Sequence, residues 1–173
     1  GAQVLADEKD DRAIPFLQEK FADYIKKGNL SLLHGDILEL DIQKTFDHKR
    51  YVIVANIPYY ITGEMLRKFL ENENPPHRMV LMVQKEVAER IVTREKGGNG
   101  QGKESILSIS VKAFGNPQYI VTVPARNFRP EPNVDSAVIL IDGISHAFFD
   151  NLAQNMNKNL IMSSFFTLVK TGF

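Results

Sequence analysis

The sequence has no cysteine, which excludes a disulfide framework, a thiolate zinc site and a cysteine nucleophile and makes a reducing compartment, the cytoplasm, the expected setting. It has no net charge either, with 21 basic residues (Lys and Arg) against 21 acidic ones (Asp and Glu). A uniformly basic coat for nucleic acid is therefore excluded, while a local basic patch is not. No apolar run approaches the roughly 18 residues of a membrane span, and no charged-then-apolar leader opens the chain, so a soluble, unsecreted protein is expected. No His, Asp or Glu spacing resembles a metal site. What is present is 173 residues, within the range of one domain and long enough to bury about two-thirds of the unfolded surface. The chain begins at Gly1, not Met, and enters the apolar run Gln3 to Ala6 at once, as expected for a sequence cut from something longer.

Charge is unevenly spread. From Arg78 to Arg129 nine basic residues stand against four acidic ones, which permits one face for an anionic partner on a neutral protein or, equally, only solvated helix surfaces.

Short apolar runs alternate with amphipathic stretches. Val4 to Ala6, Leu30 to Leu33, Tyr51 to Ala55 and Met79 to Val83 are nearly continuous apolar runs and predict strands buried on both faces. Asp11 to Lys27, Thr62 to Leu70 and Lys85 to Arg94 have helical spacing, with Thr62 the expected N-cap of the second. This alternation predicts a mostly parallel sheet with helices on both faces. Lys103 to Phe114 predicts a helix, and Tyr119 to Val123 with Ala137 to Ile141 an antiparallel hairpin at one edge. Between Lys96 and Gly102 lie four glycines in seven residues. They follow a helix and do not lead from a strand into one, so a flexible connector is expected there and not a phosphate loop. From Ser145 the chain becomes rich in Asn and Phe, and Phe165 to Lys170 has helical character.

In a parallel sheet, ligands bind beyond the C-terminal ends of the strands. Asp7 and Glu8 end the first predicted strand. His34, Gly35 and Asp36 end the second, and Asn56, Ile57, Pro58, Tyr59 and Tyr60 follow the third. A carboxylate at such an end accepts hydrogen bonds from ribose hydroxyls about 20 residues after a glycine-rich turn, and counting back from Glu8 puts that turn before Gly1. Asp36, with Ile37 beside it, suits an adenine amino group and its ring, although Gly-Asp is also an ordinary turn. Asn56 to Tyr59 is more specific. Proline fixes the backbone after a buried strand, Asn56 adds a side-chain carbonyl, and Tyr59 adds a flat apolar face. These parts hold a planar exocyclic amine whose ring stacks on the tyrosine. Phe128 opens a stretch running to Ala137 in which Pro130 and Pro132 stiffen an extended loop, able to present Phe128 as a second stacking surface.

Three segments in order, Asn56-Ile-Pro-Tyr-Tyr60, Val83 to Val92 and Phe128-x-Pro-x-Pro-x-Val-Asp-Ser-Ala137, resemble the KsgA-type small-subunit ribosomal RNA adenine dimethyltransferases from about Val4 to Ile141. Related 23S rRNA methyltransferases share the Asn-x-Pro-Tyr element but usually carry Asn where this chain has Asp135. Mitochondrial transcription factors descended from the family, a non-enzymatic ribosome assembly factor and a DNA adenine methyltransferase with a similar acceptor motif are the alternatives. The resemblance implies a Rossmann-like α/β fold that uses S-adenosylmethionine and places two methyl groups on N6 of each of two adjacent adenosines near the 3′ end of the small-subunit rRNA. It implies that Glu8 holds the cofactor ribose, that Asp36 and Ile37 hold its adenine, and that Asn56 serves both cofactor and acceptor. Asn56 and the Pro58 carbonyl would grip the target N6, with Tyr59 and Phe128 stacking on the base. The expected partner is small-subunit rRNA or a pre-30S particle bound by a monomer, without membrane or metal. The family's glycine-rich loop, the strand leading into it and a basic N-terminal segment would precede Gly1, with that strand lying mid-sheet between those ending at Glu8 and Asn56. Asp7 stands where the family usually has an apolar residue. Residues 1–144 would form a catalytic domain lacking its N-terminal part, and residues 145–173 the start of a small helical domain.

Overall fold

The computed structural model describes residues 1–92, 104–153 and 157–171. The glycine-rich segment from Lys96 to Gly102 lies outside the described residues. The chain divides into two compact units, Gly1–Asp47 and His48–Phe173. No helix among the described residues is long and apolar enough to cross a membrane.

The first unit is a strand-helix-strand unit, β1 (Val4–Glu8), α1 (Ala13–Lys20), α2 (Ala22–Lys26), β2 (Leu30–His34), followed by the short α3 (Ile42–Phe46). β1 and β2 pair in parallel, with Val4 opposite Leu30 and Glu8 opposite His34. A parallel pair needs a crossover of a dozen residues or more, which α1 and α2 supply. The single helix expected over 11–27 is broken at Phe21, where φ −111° and ψ 18° leave the helical region. Gly28 ends α2 in the left-handed conformation, φ 72°, that glycine adopts without steric cost. Asp41 caps α3 by accepting the Lys44 N–H at 3.0 Å. The expected burial of both strand faces is not met: Val4, Leu5 and Leu33 are exposed, because this ladder is only two strands wide.

The second unit comprises β3 (Val52–Asn56), a 3-10 turn (Tyr59–Ile61), α4 (Thr62–Leu70), β4 (Arg78–Gln84), α5 (Lys85–Val92), α6 (Ile106–Lys112), β5 (Asn116–Val123), a second 3-10 turn (Ala125–Asn127), β6 (Ser136–Asp142), α7 (Ala147–Ala153) and α8 (Lys158–Thr171). Its four strands are ordered β3-β4-β6-β5. β3 is parallel to β4, β6 antiparallel to β4, and β5 antiparallel to β6 with a register shift between Tyr119 and Val121. The expected hairpin is present, and its second strand lies inside the sheet with β5 at the edge. Met79, Leu81 and Val83 of β4 face Ile141, Ile139 and Ala137 of β6 directly across the ladder, and all six are fully buried. Each large aliphatic side chain in that row contributes about 1.5–3 kcal/mol on burial.

β4 comes near its expected burial on both faces, with Met79, Leu81 and Val83 fully buried and Val80 and Met82 on the other face half-buried, whereas β3 does not. Val52 and Val54 are 51% and 77% exposed, while Ile53 and Ala55 on the other face are half-buried. β3 is an edge strand of this sheet, and its face bearing Val52, Val54 and Asn56 is left exposed. α4 buries Met65, Leu66, Phe69 and Leu70, positions spaced for one helical face. Thr62 is not its N-cap. It is the first helical residue, and its hydroxyl turns back to donate to the Tyr59 carbonyl at 3.1 Å. At the far end Phe114 packs on Phe149 of α7 and Phe166 of α8, with centroids 5.1 and 6.1 Å away. His146 packs tilted against the same ring, with centroids 5.4 Å apart, and bonds the Leu70 carbonyl through Nε2 at 2.9 Å.

Candidate active site

In the second unit, the C-terminal ends of β3 and β4 meet the start of β6, since Asn56 lies beside Met82 and Gln84 opposite Ser136. Asn56 sits at strand positions two and four beyond Val54 and Val52, so it shares their exposed face. Its side chain makes no hydrogen bond with the described residues, leaving both the amide and the carbonyl available. Ile57 turns inward and donates its N–H to the Met82 carbonyl at 3.1 Å. Pro58, with φ −54° and ψ 128°, then turns the chain outward. Its carbonyl accepts the Ile61 N–H at 3.1 Å, which engages one lone pair and leaves the other. Tyr59 is half-buried and its phenol oxygen lies 2.9 Å from Ser136 Oγ. The following Tyr60 is 82% exposed.

Phe128 lies on the loop between the second 3-10 turn and β6, half-buried and in extended backbone. The loop carries a cis Arg129–Pro130 peptide and is tied at its base by Asp135, whose carboxylate accepts the Ala125 N–H at 3.0 Å and whose carbonyl accepts the Lys85 N–H at 3.0 Å. The loop and the Asn56 to Tyr59 turn are thus both anchored where β6 begins. Tyr59 and Phe128 make no direct ring contact among the described residues. Ser136 and Asp135 hold this arrangement together through partners far away in sequence; both stand in the Val-Asp-Ser-Ala segment singled out in the sequence, but nothing there pairs them with those partners.

In the first unit three carboxylates gather at the C-terminal ends of β1 and β2. Glu8 Oε1 accepts the Asp10 N–H at 2.8 Å. Asp36 accepts the Leu38 N–H at 2.9 Å through one oxygen and the Lys9 ammonium at 2.7 Å through the other. Ile37, next to it, is half-buried. His34 Nε2 meets Asp11 at 2.7 Å instead of joining the carboxylates. No group of His, Asp and Glu fit to hold a metal is present among the described residues.

Asp7 is the unsatisfied member. Its Oδ2 is buried with no hydrogen-bond partner among the described residues. Burial first, and then the charges of Asp36 and Glu8, push its pKa up, with His34 opposing. A raised folded-state pKa means that the associated stability is present below the ordinary aspartate range and is lost as pH rises through the folded value. Asp7→Asn should therefore stabilise the protein at pH 7, by on the order of 0.5 kcal/mol because solvent screens a partly exposed group. The gain should vanish below about pH 4, a dependence that urea unfolding at several pH values measures directly.

The basic surplus between Arg78 and Arg129 is partly neutralised. Arg78 forks onto Asp142 at 2.9 and 3.0 Å, Arg90 meets Glu86, and Lys112 meets Glu104. Arg94, Lys96 and Lys103 lie outside the described residues. Lys85, Arg126 and Arg129 remain without an ion pair among the described residues, all three at the β6 end of the sheet, where Arg129 also donates to the Arg126 and Phe128 carbonyls.

Residues 2–171 match the family model described as ribosomal RNA adenine dimethylase. The chain is 40% identical over 161 residues to the ribosomal RNA small subunit methyltransferase A of Dehalococcoides mccartyi, covering 88% of this chain and 52% of that protein. It is 38% identical over 170 residues to the protein of the same name from Mycoplasma mobile, covering 98% of this chain and 59% of that one. The chain thus spans about half the length of the curated relatives it matches. Among solved structures, a dimethyladenosine transferase from Plasmodium falciparum superposes with a TM-score of 0.68 at 28% identity, covering 87% of this chain and 53% of that one. The 23S rRNA methyltransferase ErmE superposes with a TM-score of 0.66 at 24% identity, covering 83% of this chain and 53% of that one, a likeness of fold. The Rossmann-like α/β methyltransferase fold is the one these neighbours share.

Proposed function

Because the chain belongs to the ribosomal RNA adenine dimethylase family, we propose that it serves the S-adenosylmethionine-dependent dimethylation of adenosine N6 in small-subunit rRNA, at two adjacent adenosines near the 3′ end. The observation that carries this reading is the turn from Asn56 to Tyr59, which presents an unengaged amide, an outward carbonyl and a pinned aromatic ring at one strand end.

The adenine amino group has two N–H donors and a lone pair delocalised into the ring. Asn56 Oδ1 and the Pro58 carbonyl are the acceptors for the two donors. Drawing both N–H bonds out of the ring plane localises the lone pair on nitrogen, which makes it nucleophilic without a strong base. Tyr59 and Phe128 take the two faces of the base, as aromatics do for unstacked bases. The proton lost from N6 passes to water.

The first unit's donor set fits the nucleoside of the cofactor. Glu8 has a carboxylate already oriented by the Asp10 N–H, suited to the two ribose hydroxyls, and Asp36 with Ile37 suits an adenine edge and face. S-adenosylmethionine supplies an activated methyl group on a sulfonium sulfur. Glu8→Ala should weaken its binding about 10- to 100-fold, since a hydrogen bond to a charged group contributes about 1.5–3 kcal/mol, and calorimetric titration checks this.

The partner on this reading is small-subunit rRNA in a pre-30S particle, bound by a monomer in the cytoplasm without metal. Residues 1–144 serve as the catalytic domain, and residues 145–173 open a small helical domain. Transfer of labelled methyl from S-adenosylmethionine to small-subunit rRNA tests the function. Label confined to large-subunit rRNA or to duplex DNA, or no transfer alongside tight ribosome binding, would overturn it in favour of the related activities or of an assembly factor.

A further inference from the structure

Tyr59 is held at both of its polar ends. Its carbonyl accepts the Thr62 hydroxyl at 3.1 Å, and its phenol meets Ser136 Oγ at 2.9 Å across 77 residues of sequence. Ser136 is only 1% exposed, and a hydroxyl in that position is costly unless it is hydrogen-bonded. The Tyr59 phenol is its only side-chain partner among the described residues. A backbone tied to Thr62 and a ring tip tied to Ser136 fix where the Tyr59 ring lies and the direction of its long axis.

Ser136 also follows directly on the loop that carries Phe128, and that loop is closed by Asp135 through Ala125 and Lys85. One joint therefore sets both the position of the Tyr59 ring and the place where the Phe128 loop departs. Resting on the reading of Tyr59 as a stacking face, we propose that Ser136 is a positioning residue for the target base, acting through the Tyr59 phenol. It touches neither base nor cofactor. It fixes where the stacking face lies and hence where the adenine N6 is presented, a placement to which methyl transfer is steeply sensitive. The phenol hydroxyl serves the ring's placement and not its stacking area, so a phenylalanine at the same position keeps the stacking face and loses its anchor.

A double-mutant cycle tests this, with Ser136→Ala, Tyr59→Phe and their combination assayed for rRNA methylation per folded molecule. The expected result is that each single substitution lowers kcat about tenfold with KM changed less than about twofold, and that the double variant falls about tenfold as well. A double variant reduced by the product of the single effects, or a Ser136→Ala protein with unchanged kcat, overturns the inference. A second readout uses an RNA oligonucleotide with 2-aminopurine at the target position. Its quenching by stacking should be uniform in the unsubstituted protein and spread over several lifetimes in either single variant, and the same single lifetime in all four proteins overturns the inference. If the unsubstituted protein transfers no methyl group, the functional reading falls and this inference with it. An active protein with independent effects removes the inference alone.

Discussion

Replacement of Asn56 by alanine is expected to lower methyl transfer about 10²- to 10³-fold while leaving the fold intact. The first half follows from the role proposed for the amide: as one of two preorganised acceptors aimed at the amine, its removal from the reacting centre costs about that factor. The second half follows from where it sits. Asn56 is exposed at the last position of β3, and its side chain bonds none of the described residues, so its loss should change stability by less than about 0.5 kcal/mol. Stopped-time methylation assays together with a thermal melt separate the two. A large loss of rate with an unshifted melt is expected, and a full rate in the Asn56→Ala protein would remove the acceptor role.

Phe149→Ala should show the opposite pattern. Phe149 is fully buried and packs on Phe114, Phe148, Phe165 and Phe166 at centroid distances of 5.1, 5.0, 5.4 and 6.1 Å. Truncating such a ring removes about 3–5 kcal/mol, because the transfer energy is lost and the surrounding helices close the void only partly. For a chain of this size that is a fall in Tm of roughly 10 °C. The protein that remains folded should bind rRNA with its ordinary KM, since the cluster joins the end of α6 to α7 and α8 and includes none of the acceptor residues. An unchanged Tm would mean that the phenylalanines do not form a common core.

Much of this was legible in the residues, and the failures have physical causes. β4 and β6 were found because interior strands must be apolar along their length, and every alternate residue of both is fully buried. β3 has the same kind of composition, yet two of its valines face solvent, since an apolar run reports the capacity for burial and not the presence of a covering layer. Thr62 has the residue type of an N-cap, but a 3-10 turn precedes it, so the nearest group for its hydroxyl is a carbonyl behind it. α3 is five residues long with one buried side chain, too short for a periodicity to register. Asn56, Pro58 and Tyr59 were expected together just beyond a strand, and the structure places them in one short turn at the end of β3. Ser136 stands in the Val-Asp-Ser-Ala segment, but its bond to Tyr59 was not legible there, because the two are 77 residues apart.

The carboxylates of the first unit show the same limit. Glu8 and Asp36 were expected at strand ends from spacing alone, and both stand there with one oxygen oriented by a backbone N–H two residues on. That the Asp36 carboxylate also carries the Lys9 ammonium, and that Asp7 has a buried oxygen with no partner among the described residues, are facts of the fold. Neither residue type nor spacing announces them.

That the Asn56 to Tyr59 turn presents adenosine N6 for double methylation is tested most directly by the product. Unmethylated small-subunit particles are incubated with the protein and S-adenosylmethionine, and the nuclease digest of their rRNA is resolved by mass spectrometry. The expected result is N6,N6-dimethyladenosine at two adjacent positions near the 3′ end, absent from the parallel reaction with Asn56→Ala. Unmodified adenosine at both positions, or a methyl group on any atom other than N6, would contradict it.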